Sequence, residues 1–360
     1  MLFRTNSGRA TFVAVAAALA LCSTVASVSS AAKRPVASKP KSRASSKSPA
    51  SSKVAKPTRA NTSLYQPNGR PPNASAPFDW SGPSPDPAVR AASSFEAATT
   101  AIVPNNKIFK LLIIGSDARP GEDFHKTRGD SIHVFLWNPA SNKGVLVGIP
   151  RDSYVDLGGG KKGKITGALT GQGPDNMLRV VNGLSKLDIK HYVITGFAGF
   201  SRMVDDIGGV NVLVDPMMND PLSGATFAKG WFAMNGPAAL AFNRNRHTVV
   251  GGDLGRSANQ GRFLLYGLAK LREETSNVAG LVRWVETFRR NADTNLAPTD
   301  FLVLAQIARQ INPANLQNVV LTGKNIRVGS GKASTDAVQL DPGYAGLFVD
   351  IGRDAVNDGK

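Results

Sequence analysis

The sequence predicts one α/β domain of roughly 250 residues, with helices covering both faces of a mostly buried sheet. Three observations support this fold class. Short apolar or β-branched runs of strand length are bounded by Gly, Asn and Pro, longer segments of helical period follow them, and strands and helices alternate along the chain. Such a domain is large enough for a hydrophobic core and a ligand cleft.

Residues 1–32 are interpreted as a signal peptide or an N-terminal membrane anchor. Arg4 and Arg9 precede an uncharged run from Thr11 to Val28, and small residues follow up to Ala32. This order is typical of an export signal, and a run of this length could also span a bilayer if it is not cleaved. The sole cysteine, Cys22, lies inside the run, which excludes a disulfide framework and a cysteine-based zinc site.

Residues 33–106 are predicted to form a disordered tether rich in Lys, Ser and Pro. Such a composition buries too little apolar surface to offset the entropy of ordering the chain. Residues 1–60 contain eleven Lys and Arg and no acidic residue, although the whole chain has a net charge of +17. The predicted domain is therefore only mildly basic, and the sequence predicts no nucleic-acid partner.

Three strands are expected at the start of the domain, over Phe109–Ile114, Ile132–Leu136 and Val145–Ile149. Helical periodicity follows, and a short helix begun by Asn235-Gly236 is expected over Ala238–Phe242. The longer helices are predicted over Asp175–Leu184, Phe197–Ile207, Arg256–Glu274, Val278–Arg290 and Thr299–Ile311, with Thr299 as the N-cap of the last.

Three polar motifs lie at the ends of the predicted strands, where ligands bind in open α/β sheets. They are Gly115-Ser116-Asp117-Ala118-Arg119, Arg128-Gly129-Asp130 and Pro150-Arg151-Asp152. Asp117 and Asp130 offer the hard oxygen ligands that Mg²⁺ prefers, and the arginines offer planar guanidinium groups suited to phosphate. Taken one at a time, the motifs fit surface ion pairs and turn caps better than a phosphate site.

A fourth polar cluster follows the short helix. It contains Arg244 and Arg246, then Asp253 as an expected N-cap, with Arg256 and Gln260 four residues apart on one helix face. The helix N-terminus favours anions. With the strand-end motifs, this cluster supplies more arginines than its carboxylates could pair, so a polyanion such as a diphosphate is the predicted ligand.

The ordered set of motifs resembles the LytR-CpsA-Psr family. The resemblance is strong over residues 107–275 and weaker to about residue 350, and it departs from the family pattern at Gly129, Thr166 and Asn259 without losing a charged site residue. The motifs that carry it are Gly115-Ser116-Asp117-x-Arg119, Arg128-x-Asp130, Ile149-Pro150-Arg151-Asp152, Lys164-Ile165, Asp205-x-Ile207-Gly208-Gly209-Val210, Arg244-x-Arg246, Asp253-x-Gly255-Arg256 and Gln260.

The resemblance implies a catalytic domain over residues 107–355, built as an α-β-α sandwich around a central mixed sheet, with a deep apolar pocket for a lipid tail. It implies an extracytoplasmic phosphotransferase, anchored in the membrane or secreted to the cell wall. Such enzymes move a glycopolymer, such as teichoic acid, arabinogalactan or capsule, from a polyprenyl diphosphate carrier onto a peptidoglycan acceptor at the membrane surface.

The resemblance also assigns roles to single residues. Asp117 and Asp130 would bind Mg²⁺, with Mn²⁺ as an alternative, and Arg119, Lys164 and Gln260 would help to hold the diphosphate. The predicted catalytic residues are Arg128, Arg151, Arg244, Arg246, Asp253 and Arg256. Either Asp130 or Asp253 would accept the proton of the attacking hydroxyl.

Two other functions fit the same residues. A pyrophosphatase would release polyprenyl phosphate to water with the same site, and a non-catalytic module would use the arginines only to bind a wall polymer. The carboxylate pair Asp117 and Asp130 argues against the binding module, because an anion binder gains nothing from carboxylates unless a metal bridges them. Trp231, Phe232 and the helix bearing Phe263, Leu264 and Leu268 are expected in the core more often than in a lipid groove.

Overall fold

The computed structural model describes residues 107–275, 278–330 and 334–359. The predicted leader at 1–32 and the predicted tether at 33–106 lie outside the described residues, and the boundary at residue 107 stays a prediction. Among the described helices, none combines the length and the apolar character needed to cross a membrane.

A six-stranded mixed sheet forms the centre of the fold. The three predicted strands are confirmed as β1 (Phe109–Ser116), β2 (Gly129–Asn138) and β3 (Lys143–Gly148). The other members are β6 (His191–Thr195), β11 (Asp293–Thr294) and β12 (Leu316–Val320), and the strand order is β11-β6-β1-β2-β3-β12.

Strand direction decides which chain segments meet at each edge of this sheet. β2 runs antiparallel to both β1 and β3, whereas β6 is parallel to β1 and β12 is parallel to β3. The carboxyl ends of β1, β3, β6 and β12 therefore lie at the same edge as the beginning of β2. The three strand-end motifs are brought together there.

Smaller two-stranded sheets surround the central one. β4 pairs with β5, β10 with β7, β8 with β9, and β13 with β14, all antiparallel. Their bounds are β4 (Tyr154–Asp156), β5 (Lys162–Lys164), β7 (Val210–Val214), β8 (Met218–Asp220), β9 (Ala225–Phe227), β10 (Gly230–Met234), β13 (Gly323–Val328) and β14 (Thr335–Leu340).

Seven helices of the described residues cover the sheet, and they confirm the predicted helical segments to within a few residues. They are α1 (Gly173–Ser185), α2 (Phe197–Asp206), α3 (Gly236–Arg244), α4 (Asp253–Glu274), α5 (Val278–Asn291), α6 (Pro298–Gln310) and α7 (Tyr344–Asp354). Asn235 caps α3 as expected, because its side chain accepts a hydrogen bond from the Ala238 amide at 3.1 Å.

Two predicted N-caps are wrong. Asp253 is the first residue of α4, and its N-cap is Gly252 with φ +58°. Glycine adopts this left-handed backbone without steric cost, so the turn into the helix ends one residue earlier than the aspartate suggested. Thr299 lies within the first turn of α6, because Pro298 occupies the first helical position, where its missing N–H costs nothing.

Apolar side chains bury both faces of the sheet, which gives the α-β-α sandwich. On one face, Leu112 and Ile114 pack with α1 and α7. On the other face, Phe109 and Leu111 pack with Val303 and Ile307 of α6, and α4 contacts the same side through Leu265 and Leu268. Fully buried side chains of this kind each contribute about 1.5–3 kcal/mol to stability.

Candidate functional site

The loops at the carboxyl edge of the sheet position the first two aspartates. The Asp117 amide donates to the Arg128 carbonyl at 2.9 Å, and the Arg128 amide donates to Asp117 Oδ1 at 2.9 Å. The register of β1 and β2 shifts between Gly115 and Ser116, which leaves Asp130 as the extra residue of a β-bulge. Bulges redirect side chains, and this one lets Asp130 reach Arg151 across the sheet edge.

Four predicted residues form a closed ring of alternating charges, which we call the charge ring: Asp130, Arg151, Asp253 and Arg256. Arg151 Nη1 donates to both oxygens of Asp130 at 2.8 and 2.9 Å. Arg256 Nη2 lies 2.7 Å from Asp253 Oδ1, and its Nη1 lies 3.9 Å from Asp130 Oδ2. Arg151 Nε completes the ring at 3.8 Å from Asp253 Oδ1.

Burial shapes the electrostatics of the charge ring. Desolvation acts against the charged form of Arg151, but the carboxylates of Asp130, Asp253 and Asp152 prevail and raise its pKa. For Arg256, whose side chain is only 6% exposed, desolvation prevails and lowers the pKa. Both guanidinium groups remain cationic at neutral pH, because the ordinary pKa of arginine lies above 12.

The charge ring keeps buried donors free for a ligand. Within the described part of the chain, neither Arg151 Nε nor Arg256 Nε has a hydrogen-bond acceptor, although both atoms are buried. Buried polar atoms in native proteins are almost always hydrogen-bonded, so an unpaired donor requires an explanation. Oxygens of a bound anion would satisfy both donors.

Asp152 and Lys164 extend the charge ring outward. Lys164 Nζ lies 3.1 Å from Asp152 Oδ1, and Asp152 Oδ2 lies 3.9 Å from Arg151 Nε. Asp152 was not among the predicted site residues, although its position directly after Arg151 was the available signal. Lys164 therefore reaches the charge ring through Asp152.

A pocket of about 100 Å³ adjoins the charge ring; we call it the polar pocket because charged and amide side chains of the site reach it, although most of its wall is apolar. Asp130, Arg244, Arg256 and Gln260 line it together with aromatic side chains of α2 and α4. Gln260 Nε2 donates to the carbonyl of Asn243 at 3.1 Å, which ties α4 to α3. The Arg244 guanidinium lies 5.0 Å from the centre of the Phe197 ring, and this cation–π contact holds it at the pocket.

An apolar cavity of about 280 Å³ continues from the polar pocket, between the sheet and helices α2, α4, α5 and α6. The two spaces share the walls formed by Ile113, Ile114, Thr195, Phe200, Phe263 and Leu264. Phe263, Leu264 and Leu268 were expected in the core more often than in a lipid groove. All three line the cavity, and Phe263 is buried in the core as well. Phe232 is buried in the same core cluster as Phe263, Trp231 packs against that cluster, and neither Phe232 nor Trp231 lines the cavity.

Three predicted arginines lie at the periphery of the site. The Arg128 side chain is exposed, and its backbone makes the contacts to Asp117. Arg119 is exposed and donates its amide to Glu122 Oε2 at 2.8 Å. Arg246 is exposed after α3, yet its charge contributes to the lowered pKa of Arg256.

His133 joins the pocket wall to the helix that bears Asp253 and Arg256. Its Nε2 lies 3.2 Å from the Ser257 carbonyl, and its Nδ1 lies 3.2 Å from Ser131 Oγ. Since a carbonyl only accepts, Nε2 carries the proton and Nδ1 accepts from the serine hydroxyl. Burial lowers the pKa of His133 to about 4.

His133 is expected to make the stability of the domain depend on acid pH. Between pH 6.5 and 4 the unfolded chain protonates this histidine while the folded chain does not, so stability falls as the pH drops through that window. The loss attributable to His133 is about 3 kcal/mol at pH 4. Urea unfolding at pH 7, 5 and 4 measures it. His133→Gln is expected to lose less stability over this range, and parallel curves for the two proteins would contradict the assignment.

The fold and the site define a class of protein: an α/β domain that can hold a polyanion joined to an apolar chain. The LytR_cpsA_psr family model matches residues 87–341. The chain belongs to this family, which confirms the resemblance found in the sequence.

Two named relatives also support membership of the chain in this family. The chain is 31% identical over 238 residues to the polyisoprenyl-teichoic acid--peptidoglycan teichoic acid transferase TagU of Bacillus anthracis, covering 66% of this chain and 74% of TagU. It is 31% identical over 249 residues to TagV of Bacillus subtilis, a transferase of the same description, covering 65% of this chain and 62% of TagV. The crystal structure of TagV superposes with a TM-score of 0.59 at 28% identity, covering 69% of this chain and 96% of that one. The α-β-α sandwich is therefore confirmed.

Proposed function

We propose that this chain transfers a glycopolymer from a polyprenyl diphosphate carrier to peptidoglycan outside the cytoplasmic membrane. The names of the relatives describe transfer of teichoic acid from a polyisoprenyl carrier to peptidoglycan. The observation that carries the proposal is the junction of the polar pocket with the apolar cavity. A diphosphate attached to an isoprenoid has the same order of a polyanion followed by an apolar chain.

The arginines around the pocket serve to position and neutralise the diphosphate. Arg151, Arg244 and Arg256 hold its oxygens, since phosphoryl transfer depends mainly on alignment and on stabilising charge. The acceptor hydroxyl attacks the phosphorus that bears the glycan. The bond between that phosphorus and the bridging oxygen breaks, and polyprenyl phosphate leaves with that oxygen.

Asp253 is the better-placed acceptor for the proton of the attacking hydroxyl. Both oxygens of Asp130 already accept hydrogen bonds from Arg151. The contact of Asp253 with Arg256 is through Oδ1, which leaves Oδ2 for the incoming hydroxyl. General bases must lie within hydrogen-bond reach of the proton, and Asp253 is the member of the charge ring at the start of α4.

Asp117 and Asp130 fit a Mg²⁺ ion shared with the substrate. Within the described residues, no group of three or more His, Cys, Asp or Glu side chains is placed to hold a metal. Mg²⁺ commonly binds one or two carboxylates and takes its other ligands from phosphate and water, and Mn²⁺ accepts the same oxygen donors. When bound, the ion would neutralise diphosphate charge. Asp117 Oδ1 accepts a hydrogen bond from the Arg128 amide, and Asp130 pairs with the Arg151 guanidinium.

Release of polyprenyl phosphate from a short-chain prenyl-diphosphate-glycan tests the proposal. The full-length chain is assayed with a peptidoglycan fragment as acceptor, with and without Mg²⁺. We expect release and glycan transfer that depend on the metal and fall about 10²-fold or more in Asp117→Ala. Asp336→Ala, which removes an exposed carboxylate on β14, is the matched control and is expected to keep full activity.

The same assay separates the alternatives. Equal release with and without the acceptor, and no glycan on peptidoglycan, would establish a pyrophosphatase. Binding of the glycan-lipid without release under any condition would establish a binding module. Release that is unaffected by chelation and by Asp117→Ala would overturn the metal assignment alone.

A further inference from the structure

Exposed large apolar side chains are concentrated in one region of the described structure. Four residues stand out, with exposed fractions of 62% for Met217, 75% for Leu222, 87% for Val250 and 68% for Val349. The first three lie on the β8–β9 hairpin, its flanks, and the loop between α3 and α4. We call Met217, Leu222 and Val250 the apolar rim.

One buried carboxylate links the two parts of the apolar rim. Asp220, whose side chain is 1% exposed, pairs through Oδ2 with His247 Nδ1 at 3.0 Å. Its Oδ1 accepts the Leu222 amide at 3.0 Å. Asp220 therefore fixes the turn that presents Leu222 and anchors the start of the loop that presents Val250. Single exposed apolar residues are common on protein surfaces, but two loops joined through the buried Asp220 carboxylate form a defined surface.

The apolar rim borders the elements that build the candidate site. β9 packs against α3, the helix that ends at Arg244. The loop bearing Val250 turns directly into α4, since the Gly252 amide donates to the Val249 carbonyl at 3.1 Å and α4 begins at Asp253. The part of the rim at Val250 is thus joined directly to the turn that begins α4 and carries Asp253 and Arg256 of the charge ring.

Cations accompany these apolar side chains. Arg244 and Arg246 are exposed beside the loop, and Lys229, 68% exposed, lies at the base of the hairpin in an ion pair with Asp215 at 3.1 Å. Apolar tips flanked by arginine and lysine are typical of surfaces that bind the headgroup region of an anionic bilayer.

We propose that the apolar rim inserts into the headgroup region of an anionic membrane and so turns the polar pocket toward the lipid surface. This inference rests on the proposed function, because only a substrate carried in the membrane requires such an orientation. Docking at the rim shortens the path by which a lipid carrier leaves the bilayer for the apolar cavity.

Environment-sensitive fluorophores on single cysteines test the insertion without any assay of catalysis. The full-length chain carries Cys22→Ser together with Leu222→Cys, Val250→Cys or, as the matched control, Val349→Cys on α7. The probes are vesicles of phosphatidylglycerol and vesicles of phosphatidylcholine. With phosphatidylglycerol we expect the labels at 222 and 250 to shift their emission to the blue and to be quenched by a lipid-borne quencher, while the label at 349 does neither.

Two outcomes would overturn the proposal. Equal emission at all three positions would show that the rim stays in water. A blue shift on raising the protein concentration without vesicles would show that another copy of the chain covers the rim. Since the N-terminal segment is the same in every variant, its own binding to vesicles cannot produce a difference between the labels.

A second measurement compares two substrates. Leu222→Asp with Val250→Asp is expected to lower transfer from a long-chain substrate in vesicles about tenfold or more, and to leave transfer from a soluble short-chain substrate unchanged. Val349→Asp should affect neither. Equal loss on both substrates would overturn the docking role, whereas a wild-type chain inactive on both would overturn the proposed function and leave the fluorescence result standing.

Discussion

Arg151→Ala lowers the rate of polyprenyl phosphate release about 10²–10³-fold, the loss typical of removing one charge-stabilising donor from an active site. The substitution removes the guanidinium that binds both oxygens of Asp130 and offers a free buried Nε to the ligand. The fold is expected to remain intact, because the Arg151 side chain is partly exposed and its ion-pair partners are the site carboxylates Asp130, Asp152 and Asp253. Initial rates at saturating substrate, together with the melting temperature, measure both effects.

Three further variants sharpen this prediction. Arg151→Lys keeps the charge but not the planar geometry, so we expect an intermediate rate. Arg244→Ala should also abolish turnover, because this arginine lines the pocket. Arg290→Ala removes an exposed arginine that pairs with Asp206 at 3.4 Å, and is expected to leave the rate unchanged. Full activity in both Arg151→Ala and Arg244→Ala would show that the pocket is not the diphosphate site.

Arg256→Ala is expected to damage both stability and turnover. Its guanidinium is buried and lies 2.7 Å from Asp253, so the truncation leaves carboxylates without their buried partner. Breaking a buried ion pair in this way costs about 3–5 kcal/mol. Urea unfolding at pH 7 measures the loss, and release of polyprenyl phosphate from the folded fraction measures the effect on chemistry.

A double variant separates the two effects. Arg256→Met combined with Asp253→Asn replaces the ion pair by neutral side chains, so we expect most of the stability to return. Turnover should stay at least about 10²-fold below wild type, because both the cation and the proton acceptor are gone. If the double variant regained wild-type turnover, neither residue would act in the reaction.

The long apolar runs were sufficient to predict the central strands and most helices. β1, β2 and β3 each contain an apolar run whose residues are mostly buried, so the sequence pattern for a strand was strong. β6 and β12 were missed because each is only five residues long and is flanked by polar side chains, so their strand character depends on pairing with β1 and β3. Such pairings join residues far apart in sequence, and local periodicity does not report them.

The residue types of the site were predictable, but their partners were not. Excess arginine at strand ends indicated a polyanion, and the charge ring contains four of the predicted residues. That Arg151 reaches Asp130 follows from the antiparallel position of β2 and from its bulge, which are properties of the sheet. The role of Gln260 in tying α4 to Asn243 likewise depends on helix packing.

The central antiparallel strand β2 has a consequence for how the chain can be cut and rejoined. It gathers the site at one edge of the sheet, so the turn between β2 and β3 lies at the opposite edge, at Pro139–Asn142. Opening the chain at this turn would leave every member of the charge ring in place. By contrast, a contiguous fragment contains all four members only if it includes residues 130–256. Incomplete translation products that end before α4 would lack Asp253 and Arg256, so they would not act on the lipid carrier.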